Sequence, residues 1–98
     1  MLVRIVKMTF IPDKVNDFVE NFNTWKIQIR NMPGCSHLEL LQDIQCTNVF
    51  FTYSYWNSEN DLNNYRNSEL FEKVWTKTKI LFTAKPEAWS VLQKEIVN

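Results

Sequence analysis

Gly34 is the only glycine in 98 residues. A phosphate-cradling Walker loop and a dinucleotide fingerprint each need several glycines, because backbone must come close to phosphate. Neither can be built here. His37 is the only histidine, which excludes a multi-histidine metal site. Cys35 and Cys46 lie eleven positions apart and match no common zinc spacing. Small secreted domains stapled by disulfides carry more cysteine, so free thiols in the cytoplasm are the expectation. No apolar run approaches the roughly 20 residues that span a bilayer. The opening MLVRIVKMTF breaks its apolar residues with charge and lacks a signal-peptide core. Basic residues total 11 and acidic residues 11, with five of each in residues 1–49 and six of each in residues 50–98. Without a basic cluster, neither nucleic acid nor a membrane surface is an expected partner.

What is abundant is apolar and aromatic. Hydrophobic residues make up 45% of the chain and aromatics 14%. A domain of this size has little interior in which to hide them. A partner surface is therefore expected to cover part of the set.

Residues 2–10 read as a first strand, β-branched and aromatic with a loose period of two. After "IPD", with Asp13 as the expected cap, comes a helix. Val15, Phe18, Val19, Phe22, Trp25 and Ile29 lie on its apolar stripe, and Asn31, Met32, Pro33 and Gly34 stop it. Residues 35–43 read as a second strand, with His37 in the same row as Cys35, Glu39 and Leu41. Residues 49–56, VFFTYSYW, give the strongest strand signal and carry rings on both faces. Helices can cover only one of them.

The stretch YWNSENDLNNYRNSELFEKVW then places five aromatic residues among polar ones. Ser58 and Asp61 approach a capping box. At about 100° per residue, Leu62 and Tyr65 share a face, and Phe71, Trp75, Thr78 and Phe82 fall roughly opposite. A break near Asn67 resolves the conflict, with Ser68 capping a second helix that runs to about Phe82. Pro86 and a short last strand complete the chain. The order is βαββαβ, an α+β ferredoxin-like fold with an antiparallel sheet and a second helix broken in two. The second sheet face, left apolar, is expected to pack on the same face of another copy, giving a homodimer.

Pro33-Gly34-Cys35 at the second strand, Trp56-x-Ser58 and Tyr65-x-x-Ser68-x-x-Phe71 resemble the antibiotic biosynthesis monooxygenase domain. The resemblance covers nearly the whole chain. It implies a single domain over residues 1–98, a dimeric α+β barrel, and relatives that include quinol, polyketide-tailoring and heme-degrading monooxygenases. The heme-degrading branch uses an Asn, a Trp and a heme-ligating His where this chain resembles it at Lys7, Tyr65 and Trp75. An indole cannot ligate iron, so heme degradation by that scheme is not expected. Isomerase-like members lean on histidine and charge, for which His37 alone stands here.

The resemblance thus implies a monooxygenase without flavin, heme or metal, acting on a small aromatic, quinol-like molecule in a helix–sheet pocket. The other reading is a non-catalytic ligand-binding module, or an isomerase, on the same fold. Trp25, Tyr53, Tyr65, Phe71 and Trp75 are the expected substrate-binding residues, and His37, Lys7 and Tyr65 the candidates for catalysis. Each has a plainer reading. Tyr65, Phe71 and Trp75 could be core, His37 a surface or interface residue, and Lys7 could snorkel to solvent. Trp56 reads as packing, and Cys35 as a small core residue. Arg66 could meet an anionic substrate or pair with Asp61 or Glu69.

Overall fold

The computed structural model describes residues 1–98. Its elements are β1 (Leu2–Thr9), a single 3₁₀ turn (Pro12–Lys14), α1 (Val15–Arg30), β2 (Cys35–Gln42), β3 (Val49–Trp56), α2 (Glu59–Arg66), α3 (Glu69–Lys79) and β4 (Glu87–Leu92). The strands pair antiparallel in the order β2-β3-β1-β4. With its two helical crossovers, this is the ferredoxin-like fold that the element order predicts.

Two boundaries differ from the sequence reading. Asp13 does not cap α1 but sits, exposed, inside the 3₁₀ turn. Pro12 presets the backbone of that turn. α3 stops at Lys79, short of Phe82. The chain there is drawn into pairing with the end of β1. Ile11 N–H donates to Leu81 O and Thr83 N–H to Thr9 O, each at 2.9 Å, and Phe10 bridges Phe82.

Side chains alternate across a strand, so register decides which residues meet the helices. Arg4 pairs with Ser54 and Ser90, Val6 with Thr52 and Ala88, and Met8 with Phe50. These rows face the helices. The alternate rows run Val91–Val3–Tyr55–His37, Trp89–Ile5–Tyr53–Glu39 and Glu87–Lys7–Phe51–Leu41. No element of the chain packs as a layer on them, and Trp89, Val91 and Leu41 are more than two-fifths exposed. A register irregularity between Cys35 and His37 splits the row that the sequence joins. A bulge inserts one extra residue, and every side chain beyond it then points to the opposite face. Cys35 is therefore buried with Leu2, Trp56 and Leu62 under the helices, while His37 packs at a tilt against Tyr55 on the open face.

The helix side holds two separate cores. Met8, Phe10, Phe18, Phe50 and Leu81 fill one. Leu2, Cys35, Trp56 and Leu62 fill the other, with Met32 and Tyr65 against them. Gly34 secures the second. Its φ is +86°, its carbonyl accepts Asn57 N–H at 2.8 Å, and a Cβ there would overlap the Asp61 side chain. Gly34→Ala should cost about 1–3 kcal/mol, through left-handed backbone strain and this overlap. Urea denaturation measures it, and an unchanged midpoint would show the turn to be relaxed.

Candidate functional site

A cavity of about 330 Å³ lies between the helices and the sheet, lined by residues of both cores. β1 contributes Arg4, Val6 and Met8 to its floor, and β3 contributes Thr52, Ser54 and Trp56. Phe18 and Phe22 of α1 close one wall. Tyr65 and Arg66 end α2 on another, and Phe71, Trp75 and Thr78 come from α3.

Two short helices with separate caps bring these rings together. Ser58 Oγ accepts Asp61 N–H at 3.1 Å and starts α2; Ser68 Oγ accepts Phe71 N–H at 3.1 Å and starts α3. The aromatic series then forms one continuous wall. Trp56 and Tyr65 stack at 5.3 Å, Tyr65 meets Phe71 edge-on at 5.2 Å, and Phe71 stacks on Trp75 at 5.8 Å. Offset stacking and edge contacts are the preferred geometries of such rings.

Several polar groups of the lining are already engaged. Trp56 Nε1 donates to Ser54 Oγ at 2.9 Å, and Thr78 Oγ1 donates to Val74 O at 2.7 Å. Burial pushes the Tyr65 hydroxyl far above its ordinary pKa, and the nearby Cys35 thiol adds to the shift. Tyr65 is thus a neutral hydrogen-bonding group at any physiological pH. Arg4 and Arg66 are the only charged residues of the lining.

The structure separates the residues singled out from the sequence. Tyr65, Phe71 and Trp75 line the cavity. His37, Lys7 and Tyr53 lie on the open sheet face, where His37 Nε2 is 3.2 Å from Glu39 Oε2 and Tyr53 meets Tyr55 edge-on. Trp25 lies in a surface groove beside α3, with Lys77 Nζ 5.9 Å from its ring centroid. Sequence reasoning passes over Arg4. Its signal is a charge in the row of Leu2, Val6 and Met8, an odd place for one if that row packs inward. Arg66 pairs with neither Asp61 nor Glu69.

A family model described as antibiotic biosynthesis monooxygenase matches residues 1–76. The chain belongs to the antibiotic biosynthesis monooxygenase family. Its β4 lies outside the matched residues. No curated protein matches the chain. Among solved structures, a protein of Nitrosomonas europaea named for this family is 17% identical with a TM-score of 0.89, covering 97% of this chain and 100% of that one. A conserved protein of Methanosarcina mazei is 17% identical at 0.87, with coverage of 93% and 91%. Another structure named antibiotic biosynthesis monooxygenase is 15% identical at 0.88 over the full length of both chains. At these identities the likeness to solved structures shows the fold. No helix of this family member is long and apolar enough to cross a membrane.

The shifted Tyr65 has a measurable consequence. Above the ordinary tyrosine pKa of 10.0 the unfolded chain releases this proton and the folded chain keeps it, so the folded state binds more protons. Stability contributed by Tyr65 is complete below that pH and falls as pH rises, by up to about 1.4 kcal/mol per pH unit. Urea denaturation at pH 8 and pH 11 should show a smaller loss in Tyr65→Phe than in the wild type. Equal losses would place the hydroxyl in a water-like environment.

Proposed function

We propose that this chain is a cofactor-independent monooxygenase acting on a small aromatic, quinol-like substrate in the helix–sheet cavity. The observation that carries the reading is an aromatic-walled cavity with few free polar groups in a chain of this family. About 330 Å³ is at the small end of ligand pockets, which suits one or two fused rings.

The chemistry asks little of the protein. An ionised quinol is electron-rich enough to pass an electron to O₂. Recombination of the radical pair forms a C–O bond and a hydroperoxide. Loss of water breaks the O–O bond and leaves a hydroxylated quinone, with the substrate supplying all the electrons. The protein excludes water, orients the ring and stabilises negative charge as it develops. In this reading Trp56, Phe71 and Trp75 hold the ring, and the neutral Tyr65 hydroxyl donates to the oxyanion. His37 and Lys7 do not line the cavity, so we assign the departing proton to solvent at the cavity mouth.

The lack of a lining carboxylate, histidine or lysine favours one second reading, a binding module that takes up and releases the same ligand class. Oxygen-electrode assays with benzoquinols, naphthoquinols and naphthols separate the two. The monooxygenase consumes O₂ with at least one of them, and Tyr65→Phe lowers turnover about tenfold or more. Tight binding without O₂ uptake across the panel would overturn the oxygenase reading.

We further propose that residues 1–98 act as one domain that pairs with a second copy through the open sheet face. The exposed Trp89 and Val91, with Ile5, Tyr53 and Tyr55 on the same sheet face, support this, since a monomer rarely leaves so broad an apolar surface wet. The free Cys35 and Cys46 suit the reducing cytoplasm. Light scattering at micromolar concentration should give twice the 11.8 kDa chain mass; a monomer there would overturn the dimer.

A further inference from the structure

Two cations without a counter-charge line a cavity that is otherwise mostly apolar. Arg4 and Arg66 are its only charged residues, and neither forms an ion pair within the chain. Arg66 is exposed at the end of α2; Arg4 is half-buried on β1. The Arg4 side chain makes one hydrogen bond, from Nη1 to Ser90 Oγ at 2.9 Å. A guanidinium carries five N–H donors in a planar fork, so most of its donors have no partner within the chain.

A half-buried guanidinium is normally answered by a carboxylate, because burial penalises an unpaired charge. Here a second cation stands near it instead. Burial lowers the Arg4 pKa, and the charge of Arg66 lowers it further. Arginine stays protonated regardless, so the folded chain itself bears both penalties. An anion placed between the two would relieve both at once. The guanidinium fork matches a planar oxyanion, and the rings of Trp56, Tyr65 and Trp75 offer faces for stacking.

We propose that the cavity selects an aromatic oxyanion of one or two rings, its carboxylate or ionised phenol held by Arg4 and Arg66. This names the substrate class of the proposed oxygenase and rests on that reading only in treating the bound anion as a substrate. An ionised phenol held in this way would enter the cavity already deprotonated, which fits a lining without a base.

Binding of matched probes to the full chain tests it, read by calorimetry. 2-Naphthoate should bind about tenfold or more tighter than neutral 2-naphthamide, a gap expected of charge-assisted hydrogen bonds. 4-Nitrophenol should bind more tightly above its own pKa than below it. A preference in only one of these arms assigns the anion to that group. Arg4→Gln and Arg66→Gln should each weaken 2-naphthoate about tenfold while leaving 2-naphthamide unchanged. If Arg4→Gln does not fold, Arg66→Gln, at an exposed position, still decides. Equal affinity for charged and neutral probes, or a preference that survives loss of Arg66, overturns the proposal. Oxygen uptake measured on the same samples keeps the two ideas apart. Anion preference without O₂ consumption overturns the oxygenase and leaves the anion site standing.

Discussion

The Ser68 hydroxyl joins two helices by ending one and starting the other. It donates to Tyr65 O at 2.6 Å and accepts Phe71 N–H at 3.1 Å. The first bond adds a second donor to a carbonyl that already accepts the Ser68 N–H at 2.9 Å, and the second satisfies an orphan amide of α3. A continuous helix would send Leu62 and Tyr65 one way and Phe71 and Trp75 nearly the other. With the axis broken at Asn67–Ser68, Tyr65 and Phe71 meet edge to face. The aromatic wall, and with it the cavity, depends on that junction.

The cavity survives because the core is divided. Interiors close-pack where side chains can reach one another. Here the phenylalanine cluster and the Trp56 cluster are separate sets of buried residues, and members of both line the cavity. Between them the sheet floor presents Thr52, Ser54 and Arg4, and these polar side chains do not close the gap as leucines would. A cationic, partly polar floor under an aromatic roof is costly as a core and useful as a binding site.

Much of this was legible in the chain. The order of elements came from β-branched runs, the Pro33-Gly34 stop and the two serine caps. The helix break came from a period that could not hold both Leu62 and Trp75 on one face. What the pattern left open was which side of the sheet met the helices. β3 carries rings on both faces, and β1 carries one cation in each row, Arg4 in one and Lys7 in the other. Period two separates the rows but does not orient them, so Lys7, Tyr53 and His37 could be assigned to the cavity as readily as Arg4. The bulge after Cys35 removed the remaining guide, because parity along β2 no longer joined His37 to a buried neighbour. Trp25 stands apart for a different reason. It lies on the apolar stripe of α1, but toward the edge that faces the surface groove beside α3, where the Lys77 ammonium stands over its ring.

The register of β1 therefore controls both faces together. A one-residue slip would turn every side chain over, moving Arg4 out of the cavity and Lys7 into it. β1 is held against that on both sides, by β3 and by β4. The β4 contact matters to the site beyond register, because Ser90 receives the Arg4 guanidinium and Ala88 and Pro86 complete the lining. These three residues lie beyond the portion of the chain that matches the family model. Within this chain the portion that matches the family model thus supplies the aromatic wall, while the last strand sets how the half-buried cation is presented. β4 is an edge strand with no residue in either core, so its side chains can change without disturbing them.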